Sequence, residues 1–303
     1  MYPGDYTLVG SELSLFSRKL EAQLRFQRIP WHWLFKTAAR GSELETRAGT
    51  HFVPLLQTPE KWLIDDTIAL GPMLNDRFSD RPVIPTTPLQ RSCCFILEDA
   101  WNHWLGRSCG HTRWCYPENV AWVGPRMGAN MVLDRSIDIP LSEQELEQLA
   151  GMGPAILDRF GKQACENIGV PPEQGESVRA DFGRMMQALD KHFAHNQFLL
   201  GPRPCLADFT LAGASKAHYL YDPTPISWLG EYQEMLSRYT ERFFENGIDP
   251  AAEWLPDDKV PDTLAVLLDY LQGSYYRYAH ANITAGLAGE ALHISLVHGF
   301  PWS

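Results

Sequence analysis

The ten residues SDRPVIPTTP, with prolines at 82, 85 and 88, divide the chain into stretches that obey different periodicities. Proline fixes its own φ and restricts the residue before it, so a segment this rich in proline joins ordered elements instead of forming one. Before it, short extended and helical signals alternate. Tyr6–Val9 and the aromatic run WHWLF (31–35) read as strands, and Ser17–Gln27 reads as a helix with Leu20, Leu24 and Phe26 near one face. FVPLLQT and KWLIDD flank a Pro59-Glu60 turn and read as a hairpin. TIALGPMLNDRF follows as a helix that Gly71-Pro72 should bend. The order β-α-β-loop-β-β-α is a small mixed α/β layer. Beyond the prolines the strand signals nearly vanish. Helical periods run through LQRSCCFILEDAWNHWLG, through a stretch opened by the capping box Ser142-x-x-Glu145, through ESVRADFGRMMQALDKHFAHN, and through the more apolar LADFTLAGASKAHYLY. A last long helix is expected from PDTLAVLLDYL onward, with Pro261 in its first turn. The expected organisation is an α/β domain over residues 1–80, a linker over 81–88, and an all-helical domain over 89–303.

Composition narrows the function classes. A net charge of −11 without a basic stripe speaks against nucleic acid. No window offers the roughly 18 uninterrupted apolar residues of a membrane span. The N-terminus MYPGDYTLVG lacks the layout of a secretion signal, and the six cysteines show no framework spacing, so a reducing cytoplasm is the expected location. Without secretion, the sequon at Asn282 has no meaning. Cys109, His111 and Cys115 in CGHTRWC match no common zinc spacing, and no metal is expected.

The chemistry concentrates where the first strand turns into the first helix. Ser14 and Ser17 stand three apart, the spacing of a C-x-x-C redox pair with both sulfurs replaced by hydroxyls. On residue type alone, Ser14 is either a hydroxyl donor to a ligand or a plain helix N-cap with Ser17 at N3. Ser11 is a weaker alternative, and Tyr6 sits too early on the strand.

Four stretches together resemble the cytosolic glutathione transferase family: YTLVGSELSLFSRKLEAQLRF, FVPLL, IDDTIAL and FLLGPRPCLADFTLAG, in that order along the chain. The resemblance implies the glutathione transferase fold, a thioredoxin-like domain followed by an all-helical one, with glutathione as co-substrate, a small apolar electrophile as second substrate and a homodimer as the assembly. It places Ser14 as the catalytic donor. Phe16 and Ser17, Val53 ahead of a cis Pro54, and Asp66 with Thr67 would then line the glutathione site. RSCGHTRWCYPENVAWVGPRM (107–127) and the chain beyond about residue 225 have no counterpart in the pattern.

The implied chemistry has definite physical content. A thiol with a pKa near ~8.5 is only about 3% thiolate at pH 7. A hydroxyl donating to the sulfur is worth roughly 1.5–3 kcal/mol, or about one to two pKa units. The positive end of the first helix acts in the same direction. A serine cannot form a mixed disulfide, so addition or substitution by glutathione is expected over thiol–disulfide exchange. The backbone of Val53 would pair with the glutathione peptide like an added strand. Asp66 would meet the γ-glutamyl ammonium and Thr67 its carboxylate, the alternative being that Asp66 only caps its helix. Asp65 competes for either role, and Lys36, Arg40 and His51 are candidate cations for the glycine carboxylate. Trp101, His103, Trp104, Trp114 and Tyr116 are possible linings of an interdomain pocket, or core aromatics. Cys205 replaces the hydroxyl of a buried capping box, leaving Asp208 to bond back to the cap amide. The other reading is a non-catalytic glutathione- or ligand-binding scaffold on the same fold.

Overall fold

The structure, a computed structural model, describes residues 4–245, 247–289, 295–297 and 300–302. Its first layer is a four-stranded sheet in the order β2-β1-β3-β4, built from β1 (Tyr6–Gly10), β2 (Trp31–Phe35), β3 (Leu55–Gln57) and β4 (Leu63–Ile64). β1 and β2 are parallel, with Leu8 opposite Trp33, and α1 (Leu15–Phe26) supplies the crossover between them. β3 runs antiparallel to β1, and β3–β4 is the expected hairpin. α3 (Thr67–Arg77) carries Pro72 inside it, as the sequence suggests. This is the thioredoxin-like arrangement. Two local expectations need correction. α1 starts at Leu15, not Ser17, because Ser14 takes the N-cap. The stretch expected as a loop between β2 and β3 contains α2 (Ala38–Ala48), which ends at Gly49 in the left-handed conformation that glycine adopts without a Cβ penalty.

Helices follow: α4 (Pro88–Trp114), α5 (Pro117–Met131), α6 (Glu143–Leu149), α7 (Met152–Ile156), α8 (Lys162–Asn167), α9 (Gly175–Phe193), α10 (Leu206–Ala214), α11 (Pro223–Leu229), α12 (Gln233–Phe244), α13 (Leu264–Leu271) and α14 (Arg277–Leu287). The Ser142/Glu145 capping box forms as expected. Pro261 lies ahead of α13 and accepts from the Leu264 amide, so it closes a turn instead of opening the helix. The second part is not purely helical: β5 (Ser295–Val297) pairs with β6 (Phe300–Trp302).

α1 joins the two layers. Leu20 and Leu24, four apart, pack with Tyr6, Leu8 and Leu56 of the sheet. Leu15, Ala22 and Phe26 turn instead into the main helical core with Trp101 and Phe209. Gly213 permits the closest approach on that side. A Cβ there would lie 2.5 Å from the Leu15 carbonyl oxygen and 2.6 Å from the Lys19 nitrogen. The polar residues of α1 are buried as well and therefore need partners. Lys19, 1% exposed, donates to Glu98 Oε1 at 2.5 Å and Asn102 Oδ1 at 2.8 Å, and Thr210 donates to the other Glu98 oxygen.

The cap of α10 follows the sequence reading. The Asp208 carboxylate accepts from the Cys205 amide at 2.8 Å, and also from Leu199 N and Tyr239 Oη. Burial pushes its pKa up to about 6, against the pull of these donors. The C-terminal part of the chain serves α4. Asp258 accepts from the Leu89 and Gln90 amides at its first turn, and the Tyr270 hydroxyl joins Trp104 on Asp181.

Candidate functional site

The loop between β1 and α1 leaves the sheet at Gly10, where a Cβ would lie 2.5 Å from Ser17 Oγ. Ser17 is fully buried and its Oγ accepts from the Ser11 amide at 3.4 Å, so it acts within the loop. Ser11 donates its proton to Asn130 Oδ1 at 2.8 Å and accepts from the Leu13 amide. Ser14 differs from both. Its Oγ accepts from the Ser17 amide at 3.3 Å as the α1 N-cap, and the side chain is half-buried. A cap spends a lone pair and keeps its O–H. Among the described residues no acceptor takes that proton. The N-cap alternative is thus realised without consuming the donor. The first turn of α1 carries no acidic residue to oppose an anion there. Phe16 is partly buried against the helical core. Tyr6 is buried at the opposite end of β1, beneath the Arg77 guanidinium.

The loop is fastened by groups far away in sequence. Glu12 is 3% exposed, and its carboxylate accepts from Asn130 Nδ2, Ser136 Oγ and the Ile137 amide, at 3.2, 2.8 and 2.8 Å. Arg18 donates to the Glu12 carbonyl at 2.8 Å. Arg113 donates to the Leu13 carbonyl and forms a buried pair with Asp222 at 3.0 and 3.1 Å. That ion pair holds the Asp222 carboxyl below its ordinary range although burial opposes it. Neighbouring His218 is pushed down to about 4 by burial and by the Arg113 charge. Sequence reasoning missed Glu12, Arg113 and Asn130. The only signal available was that Arg113 falls in, and Asn130 just after, the stretch without a family counterpart.

The Val53–Pro54 bond is cis, as expected. Among the described residues, no turn or loop backbone hydrogen bond uses the Val53 amide or carbonyl. Asp66 is exposed, adopts φ 64°, ψ 102°, and accepts from the Ile68 amide at 2.9 Å, so it does cap α3. A non-glycine residue at positive φ costs about 1–3 kcal/mol, and such conformations cluster at ligand sites. Thr67 is buried beside it at the start of the helix.

The candidate cations divide. Lys36 pairs with Glu45 at 2.7 Å and donates to the His51 carbonyl. Arg40 grips Asp134 through two bonds of 2.7 Å and also donates to the Phe35 carbonyl. His51 is exposed with its ring against Phe52.

Of the aromatics offered as pocket linings or core, the three tryptophans belong to the helical core. Trp101 is fully buried and stacks on Tyr270, Trp104 donates to Asp181, and Trp114 closes on Gly161. His103 is exposed and stacks on Tyr275, while Tyr116 sits between His111 and Trp228. The apolar side chains next to Asn130 and Asp134 are instead Met131, Val132 and Leu133, all exposed. A cavity of about 170 Å³ between Arg126, Ile137, Ile139 and Leu146 is smaller than an ordinary ligand pocket of roughly 300 Å³ or more.

No family model matches the chain, and no curated protein is similar to it. The solved structures similar to it include a glutathione S-transferase from Methylobacterium radiotolerans in complex with glutathione sulfonate, with 14% identity, 85% of this chain and 100% of that one covered, and a TM-score of 0.48. A glutathione transferase from Phanerochaete chrysosporium shows 14% identity over 80% and 97% of the two chains, with a TM-score of 0.49. FzlA from C. crescentus shows 16% identity over 87% and 99%, with a TM-score of 0.46.

Proposed function

We propose that the chain is a glutathione transferase-type enzyme that binds glutathione on residues 1–80 and lowers its thiol pKa with the Ser14 hydroxyl. The thiolate then attacks a small apolar electrophile held against the helical part, residues 89–303. The carrying observation is the difference among three hydroxyls in one loop. The Ser11 proton is committed to Asn130, Ser17 is sealed in, and Ser14 keeps its proton at a helix whose first turn carries no acidic residue. The backbone of Val53 pairs with the glutathione peptide, Asp66 and Thr67 take the γ-glutamyl end, and Phe16 and Ser17 back the cysteine. Arg40 is the cation best placed for the glycine carboxylate, which would displace Asp134. Met131, Val132 and Leu133 offer the apolar wall for the electrophile. Exposed apolar side chains at Phe52, Trp62, Leu89 and Phe95 support a homodimer. A cytoplasmic location fits cysteines that are all free, and no described helix is long and apolar enough to cross a membrane.

A second reading has its own observation. Asp134 already occupies Arg40, and the loop is held at Ser11, Glu12 and Leu13 by the helical part. A non-catalytic glutathione-binding scaffold would tolerate such a fixed, partly self-occupied site. Calorimetry with glutathione on wild type and Asp66→Ala, beside a conjugation assay with a chromogenic aryl halide, separates the two. Binding that Asp66→Ala weakens, with turnover, supports the enzyme. Binding without turnover supports the scaffold, and absence of binding contradicts both.

A further inference from the structure

His111 and Cys115 stand one helical turn apart at the end of α4, and among the described residues neither hydrogen-bonds to the β1–α1 loop that Arg113 between them fastens. Cys165, on α8, packs against them. The Val170 carbonyl receives His111 Nδ1–H at 2.9 Å and the Cys115 thiol at 3.7 Å. The Cys165 thiol reaches the Gly110 carbonyl at 3.6 Å, and the Cys165 carbonyl accepts from the Val170 amide at 2.8 Å. Both thiols thus lie on carbonyls of the α4–α8 seam, Cys115 on Val170 and Cys165 on Gly110. Because Nδ1 donates to a carbonyl, a neutral His111 carries its free lone pair on Nε2, which is buried without a hydrogen-bond partner among the described residues.

The neighbouring Cys165 thiol and the imidazole lower Cys115 below the ordinary thiol range, although burial opposes them. Burial by itself would lower His111, but the nearby Cys115 and the Val170 carbonyl raise it. Cys115 is half-buried and reachable, whereas Cys165 is 2% exposed. Reactive cysteines combine thiolate character with partial exposure. A second thiol pair, Cys94 and Cys205, supplies the contrast. Those two are neighbours as well, but both are fully buried, and burial pushes Cys205 well up.

We propose that Cys115 and Cys165 form a dithiol redox site, oxidised by low-molecular-weight disulfides of the glutathione disulfide class. The Cys115 thiolate attacks one sulfur of the disulfide. A mixed disulfide forms, and the displaced thiolate takes up the proton that Cys115 released. Cys165 then attacks the Cys115 sulfur, its proton passing to the second departing thiolate. One small disulfide is reduced to two thiols, and two protein thiols become one disulfide.

The test treats the native full-length protein with glutathione disulfide, quenches with acid, and reads intact mass and a peptide map. The wild type is expected to lose the mass of two hydrogens and to yield a Cys115–Cys165 cross-linked peptide. Cys165→Ser is expected to hold one glutathione on Cys115, and Cys115→Ser to take up none on Cys165. A wild-type chain that stays reduced, or that cross-links Cys94 to Cys205 instead, overturns the proposal. A second readout needs no variant: in the native wild type, alkylation of Cys115 should outpace that of Cys93 by about tenfold or more. Equal rates would also overturn it.

Discussion

The β1–α1 loop and the segment after α5 that closes on it are built by different means. Below the loop, the sheet and the start of α1 use nearer groups: Ser14 caps its own helix, and Leu20 and Leu24 pack on Tyr6 and Leu8 of the strand before them. The closing segment fastens through buried polar groups more than a hundred residues away, Asn130, Ser136 and Ile137 on Glu12. Apolar packing tolerates exchange of one hydrophobic side chain for another. A buried carboxylate with several donors does not, because each group left unpaired costs the full desolvation of that group. The site is therefore expected to be tolerant on its sheet side and exacting on its helical side.

The severest way to break this contrast is at Lys19, the buried cation that joins the two layers. Lys19→Met leaves the Glu98 carboxylate buried without its counter-charge, and should lower unfolding stability by about 3–5 kcal/mol in urea titrations. A loss under about 1 kcal/mol would place the join in apolar packing alone.

Asp208 sharpens the contrast by its pH dependence. Its folded pKa of about 6 lies above the ordinary aspartate value of 3.8. Between those two values the folded state binds more protons than the unfolded one, so this group's contribution is complete below about pH 4 and is lost as pH rises through 6. Relative to Asp208→Asn, the wild type should lose on the order of 1–3 kcal/mol across that window. Chemical denaturation at a series of pH values measures it, and parallel curves would contradict the assignment.

Glu12→Gln keeps the shape but replaces an acceptor of three hydrogen bonds by an amide. The expected loss is about 1–3 kcal/mol, with faster amide hydrogen exchange at residues 11–14 and 136–137. Unchanged exchange there would mean that the clamp does not order the loop. The mildest effect is expected at the exposed pair Arg40–Asp134. Asp134→Ala should change stability by less than about 1 kcal/mol. It should also tighten glutathione, because it frees Arg40, and calorimetry that found weaker binding would remove Arg40 from the site.

What the sequence made legible follows the same division. The strands expected at 6–9 and 31–35, the hairpin and the Ser142 capping box all rest on signals within a few residues, and all are present. α2 was missed because AARGSELETRA buries only Gly41 and Leu44, too few apolar positions to set a period. The aromatics between 101 and 116 stayed open between core and pocket because tryptophan and tyrosine satisfy either equally well on residue type, and the three tryptophans take the core. Glu12, Arg113 and Asp134 were invisible for a deeper reason. A charge in a loop or near a helix end is ordinarily solvated, and only the fold brings its partners to it.

The account turns on one property, that the Ser14 proton is available to a bound sulfur. An ultraviolet difference titration of the glutathione thiolate against pH, on wild type and Ser14→Ala, reads it directly. The account predicts that the bound thiol titrates about one unit or more below free glutathione, and that the alanine variant still binds but loses the shift. A bound thiol that titrates like free glutathione in the wild type, or a shift that survives in Ser14→Ala, would contradict it.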